Sequence, residues 1–281
     1  ELYFKVLDVL ERGGFEVEDA GARIERSKAE VTGLVGDMGS EEVERYLGLM
    51  PRRYLLSNDP ASIAKHLKAV KELDSGASCV MKTTLMEERE YTEIVVCTYD
   101  LHGLFAMITG VMAANSINIL GAQINTLTNG IVLDVLQVNT VLGEPITSEA
   151  KLRSIEKDLE SVISGRVRVE ELVGKVKTPS ILDTKATPAV PTRVRIDNEV
   201  SDDYTVLDIQ TRDRVGLLYT ISSALTRLAL YIHIAKVSTK GGEASDVFYI
   251  RDIFGQKIYY DKRLKDIEDT LKKAIDGDGD G

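Results

Sequence analysis

Thr98-Tyr-Asp-Leu-His-Gly-Leu-Phe105 and Thr211-Arg-Asp-Arg-Val-Gly-Leu-Leu218 are the stretches on which the reading of this chain turns. Each places Asp-x-x-Gly-Leu between an apolar, β-rich run and an apolar run of helical spacing. The likeness extends outward from both. Thr205 to Thr239 aligns on Thr92 to Thr126 without a gap at an offset of 113, and nine of the 35 pairs are identical. About two would coincide by chance. The identities include Asp100 with Asp213, Gly103 with Gly216, Leu104 with Leu217, Ile108 with Ile221, Ala122 with Ala235 and Thr126 with Thr239. One residue is then dropped, so Asp134 meets Asp246 and Gly143 meets Gly255 at an offset of 112. The chain carries a duplicated unit.

In the first copy, Tyr91 to Thr98 reads as a strand and Asp100 to Gly103 as a turn. Leu104 to Ala114 reads as a helix with Leu104, Ile108, Val111 and Met112 on one face. Ile117 to Leu127 and Ile131 to Asn139 are expected strands around the Asn129-Gly130 turn. Ser148 caps a helix to about Ser164, and Val167 to Val173 is expected as a short closing strand. The order is β-α-β-β-α-β, the ferredoxin-like split unit. The second copy instead closes on a helix, about Asp261 to Ala274, with no strand after it. Each copy is led by an extra β-like run, Cys79 to Leu85 and Arg193 to Ile196. The leading strand is expected to fill the edge that a missing closing strand leaves empty.

Upstream, residues 1–76 read as mainly helical. Ser40-Glu41-Glu42-Val43 is a helix start, and Asn58-Asp59-Pro60 sets a cap and an early Pro ahead of Ile63, Leu67 and Val70. Gly13-Gly14 and Gly33 to Gly39 are breaks. Residues 175–191, with Pro179, Pro188 and Pro191, read as a linker. Residues 276–281 read DGDGDG, which mimics the first half of a calcium loop without its second half, and are expected as a flexible acidic tail. The expected class is α+β: two ferredoxin-like units, 77–174 and 192–275, in tandem after a helical segment.

Composition narrows the function classes. A net charge of −10, from 45 acidic and 35 basic residues, offers no basic face for nucleic acid. No apolar run approaches a membrane span. Cys79 and Cys97 lack metal-ligand spacing and are expected as reduced core thiols, which suits the cytoplasm. Three dispersed histidines give no His-rich metal site. There is no P-loop, no Cys–His pair and no Gly-x-Ser-x-Gly. His66 and His233 look structural or exposed, and Asp202-Asp203 are ordinary surface acids. No complete catalytic centre is legible. The first residue is Glu, not Met, as in a cut from a longer protein.

The repeated turn is the candidate site. Gly103 and Gly216 permit close backbone approach, and a helix start offers free N–H groups and partial positive charge for a carboxylate. Asp100 and Asp213 can accept from an ammonium group. Together these suit the two charged ends of a free α-amino acid, while a plain capped turn is the bland reading. His102 is a donor to a ligand carboxylate or an exposed loop histidine. Arg214 is the charged counterpart in the second copy. Asn118 is a ligand contact or a strand cap.

These turns, with Leu104 and Leu217 after them, resemble the opening of ACT domains. Ile232-His-Ile-Ala-Lys-Val-Ser-Thr, Asp246-Val-Phe-Tyr-Ile and Gly255-Gln-Lys-Ile are similar to the second ACT domain of the PII uridylyltransferase/uridylyl-removing enzyme family. Met50-Pro-Arg-Arg-Tyr-Leu-Leu resembles the stretch just ahead of that family's ACT pair. The resemblance covers about residues 45–275. It implies a regulatory segment that senses an amino acid, glutamine, and acts on the PII signalling protein through catalytic domains this chain lacks. The metal ions of that chemistry, Mg2+ or Mn2+, belong to those domains, so no cofactor is expected here. Neither the Gly-Ser-type nucleotidyltransferase signature nor the HD metal histidines occur. Carried over as ligand-facing are Asp100, His102, Gly103, Leu104, Asp213, Arg214, Gly216 and Leu217, with His102 departing from the usual Arg. ACT pairing between chains is a further implication. The alternative is a stand-alone ACT-repeat module that docks on a partner enzyme.

Overall fold

The computed structural model describes residues 17–36, 38–175, 190–240 and 242–277. The expected breaks at Gly13-Gly14, most of the linker, and the tail beyond Gly277 lie outside the described residues. Among the described residues four helices come first: α1 (Val17–Leu34), α2 (Ser40–Leu49), α3 (Arg52–Ser57) and α4 (Pro60–Asp74). The cap signal before α4 works as read. The Asp59 carboxylate accepts from the Ser62 N–H at 3.0 Å, and Pro60 takes the first helical position, where its missing N–H costs nothing. Ile63, Leu67 and Val70 are fully buried on one face. His66 is structural: it is buried, and its Nδ1 pairs with the Tyr54 hydroxyl at 2.5 Å.

The first copy runs β1 (Cys79–Met86), β2 (Tyr91–Tyr99), α5 (Leu104–Ala114), β3 (Ile117–Gln123), β4 (Ile131–Thr140), α6 (Glu149–Ile163) and α7 (Val169–Val173). The second runs β5 (Arg193–Asp197), β6 (Thr205–Arg212), α8 (Leu217–Arg227), β7 (Leu230–Lys236), β8 (Thr239–Lys240), β9 (Glu243–Asp252) and α9 (Asp261–Gly277). The sheets are ordered β1-β2-β4-β3 and β5-β6-β9-β7, with β8 added to β9. This is the ferredoxin-like α+β class, twice over.

The closing strand expected over Val167–Val173 is a correction: the segment is the short helix α7. Glu170 and Glu171 in its first turn favour a helix start, and Val169 is buried. Its slot in the sheet is also taken. In both copies the leading strand occupies the outer edge, and β5 pairs with β6 antiparallel from Arg193↔Gln210 to Asp197↔Val206. The third strand is also shorter than expected. It stops at Gln123, leaving one isolated bridge, Thr126↔Val132.

The chain forms two compact units. One gathers α1–α4 with the strand segments Val95–Asp100 and Asn125–Asp134. There the Thr128 N–H donates to the Leu49 carbonyl at 3.1 Å, and Val95, Cys97 and Leu133 are buried. Burial pushes the Cys97 thiol up to about 12, and neither Cys79 nor Cys97 is in a disulfide. The other unit holds α5, β3, α6, α7 and the whole second copy. No helix among the described residues is long and apolar enough to cross a membrane.

Candidate ligand-binding site

The two Asp-x-x-Gly turns share one backbone. The Asp100 N–H donates to the Gly130 carbonyl at 3.0 Å, and the Asp213 N–H to the Gly242 carbonyl at 2.9 Å. Leu104 donates to Leu101 at 3.0 Å, and Leu217 to Arg214 at 3.1 Å. Gly103 and Gly216 are the helix N-caps at φ 78° and 84°, a region that glycine enters without strain. The N-cap position is glycine in both helices, so no N-cap side chain supplies a cap.

Helices α5 and α8 pack on each other reciprocally. Thr109 and its own counterpart Ser222, both buried, share a hydrogen bond of 3.0 Å between hydroxyls. Gly110 lets the surfaces close: a Cβ there would collide with the Val169 methyl and lie 2.9 Å from the Tyr219 ring. The inner edge strands β3 and β7 lie side by side, each with a register shift at the matching place, Ile119/Gly121 and Ile232/Ile234. A contact between residue i of one copy and j of the other therefore recurs with the roles exchanged.

At the second turn this pairing leaves a narrow, partly open cleft. Asp213, Arg214, Gly216 and Leu217 line it from one copy, and Asn118 from the other. Five of the nine residues singled out in the sequence thus meet at one place. Ala113, Thr239 and Asp246 also line it. Burial pushes the Asp213 carboxyl up, against the pull of the Thr239 hydroxyl, the Arg214 N–H and the Arg214 charge. Burial pushes Asp246 up to about 7. The Ser238 N–H, 3.3 Å away, opposes this, and the charge of Asp213 adds to it. Asp213 and Asp246, whose carboxyls burial pushes up, both line the cleft near the N-terminal end of α8. Arg214 does not reach freely into the cleft: its guanidinium donates to the Ile275 carbonyl at 3.2 Å, in the last turn of α9.

The first turn differs. His102 and Gly103 face Thr226 and Tyr231, the counterparts of Ala113 and Asn118. The His102 and Tyr231 rings lie 4.9 Å apart, and a Cβ on Gly103 would sit 2.8 Å from the Thr226 methyl. Leu104 is buried at the head of α5. Asp100 belongs to the helical unit, where its charge and burial raise the buried Asp134 carboxyl well above its ordinary range, burial being the larger cause. Asp134 and Asp246 were readable as an identical pair, but nothing in their β-strand setting marked them as neighbours of the turns. Tyr231 was identifiable only by carrying the offset of 113 onto Asn118. Among the described residues no group of His, Cys, Asp and Glu is placed to hold a metal ion.

Duplicated ββαββα units, paired through a helix and an edge strand around a small polar cleft, define a tandem ACT-type regulatory module. A sequence model described as "ACR9-like, ACT-like domain" matches residues 193–277. The chain is 34% identical over 276 residues to the bifunctional uridylyltransferase/uridylyl-removing enzyme of Rhodospirillum rubrum, covering 98% of this chain and 29% of that protein. It is 35% identical over 277 residues to the enzyme of the same description from Azospirillum brasilense, covering 98% and 30%. The chain is similar to these relatives along nearly its whole length, carries an ACT-like segment, and spans about three tenths of their length. Among solved structures, an aspartate kinase from Synechocystis aligns over 68% of this chain and 28% of its own, at 14% identity and a TM-score of 0.37.

Proposed function

We propose that this chain senses L-glutamine for a uridylyltransferase/uridylyl-removing enzyme, and that occupancy sets the balance between adding UMP to the PII signalling protein and removing it. The observation that carries this reading is the cleft where the second turn meets Asn118 of the other copy. In the proposed pose the ligand α-carboxylate lies against the first turn of α8, whose N–H groups lack intrahelical acceptors. The α-ammonium faces Asp213 and Asp246, and its charge favours their ionised forms. Asn118 reaches the ligand side chain. Because both copies wall the cleft, a ligand there favours one packing of α5 against α8. Any shift is limited by differential affinity for the two packings, with coupling typically about 1–3 kcal/mol. Reduced thiols at Cys79 and Cys97 support a reducing, cytoplasmic setting. Isothermal titration with millimolar L-glutamine tests the reading. Heat that Gly216→Asp abolishes is expected; an absence of heat and of thermal shift in the parent chain contradicts it.

A further inference from the structure

We infer that the first turn is a latent twin of the ligand site, held shut by Thr226, Tyr231 and His102, and that these side chains set the stoichiometry at one ligand per chain. The inference rests on the reading of the second turn as an amino-acid site. Its basis is the reciprocity of the two walls.

The backbone half of a site is present at the first turn. Gly103 has the same left-handed conformation as Gly216, and α5 begins after it as α8 does after Gly216. The hydroxyl-to-hydroxyl contact of Thr109 with Ser222 places the same register on both sides of the helix pair. The side-chain half differs at three matched positions. Where the second turn faces Ala113, whose Cβ stands 3.7 Å from a Cβ built on Gly216, the first faces Thr226, whose methyl stands 2.8 Å from one built on Gly103. The Thr226 hydroxyl donates to the Ser222 carbonyl at 2.8 Å, which fixes the rotamer that turns the methyl on Gly103. Where the second turn has the short amide of Asn118, the first has Tyr231. Its ring rests on His102 at 4.9 Å, whereas the counterpart of His102 is Val215, which is exposed. A ring and a methyl occupy the volume that a ligand takes at the second turn.

Exchanging the walls tests this. The full 281-residue chain is titrated calorimetrically with L-glutamine as the parent, as the triple variant Thr226→Ala/Tyr231→Asn/His102→Val, and as that variant with Gly216→Asp added. One site is expected in the parent, two in the triple variant, and one in the last. Two sites in the parent, or one in a triple variant that melts within a few degrees of it, overturn the inference and leave the reading of the second turn standing. No binding in the parent overturns that reading and the inference with it. Should the triple variant not fold, the opposite exchange decides. Ala113→Thr/Asn118→Tyr closes the second turn and is expected to abolish binding, and retained binding overturns the inference.

Discussion

The two turns share a backbone and differ in what stands opposite. Around Gly216 the facing helix and strand supply Ala113 and Asn118, and a cleft remains. Around Gly103 they supply Thr226, whose methyl stands close to the glycine, and Tyr231, whose ring rests on His102. Duplication copied the scaffold, while what each turn faces is set by residues far away in the sequence. The same contrast holds on the sheets. Val95, Cys97 and Leu133 are buried within the helical unit. Their counterparts Asp208, Gln210 and Ser245 are at least partly exposed. One sheet face has become core and the other has stayed a surface.

The largest effect expected from this contrast is electrostatic. A folded-state pKa raised from 3.8 to about 7 at Asp246 means that the folded chain binds more protons than the unfolded one between those values. Its contribution to stability is therefore present at low pH and is lost as pH rises through that window. Asp246→Asn removes the penalty. At pH 8 the variant should exceed the parent by on the order of 2–4 kcal/mol in urea denaturation, at about 1.4 kcal/mol per pKa unit, with little difference near pH 4. Asp134→Asn should shift stability in the same direction in the first copy. An unchanged pH slope in both would show that these carboxylates are better solvated than their burial indicates.

Next in size is the helix pairing. Gly110→Ala drives a methyl onto Val169 and Tyr219 and should cost about 3 kcal/mol, the upper end of overpacking. The matched Ser223→Ala lies at a half-buried position and should be nearly neutral. Equal losses would refute the close approach at Gly110. The turn glycines should differ as well. Gly216→Ala meets only ordinary contact and should cost about 1–2 kcal/mol for its left-handed backbone. Gly103→Ala adds the collision with Thr226 and should cost about 1–2 kcal/mol more, an excess that Thr226→Ala relieves. Smallest is the hydroxyl pair: a double-mutant cycle on Thr109→Ala and Ser222→Ala should give about 1 kcal/mol of coupling.

Much of this was legible in the chain itself. The offset of 113, the helix Leu104–Ala114 and the caps at Asp59 and Ser148 all follow from local pattern and agree with the structure. Val167–Val173 misled because alternating valines imitate a strand; which segment fills a sheet edge is a competition between distant parts of the chain, and β1 takes that edge. The turns were readable as a pair of candidates, but their inequality was not. It depends on Ala113, Asn118, Thr226 and Tyr231 meeting the opposite copy, a tertiary contact that no local pattern encodes. Arg214 was readable as a charge near the ligand, not as a tie to the last turn of α9.

The two turns are expected to differ in occupancy, the second open to an amino acid and the first closed by its own neighbours. A crystal structure of the chain grown with L-glutamine tests this most directly. Ligand density is expected between the Asp213–Leu217 turn and Asn118, with Tyr231 still resting on His102. Density at the His102–Gly103 turn, or at both turns with Tyr231 displaced, would contradict it.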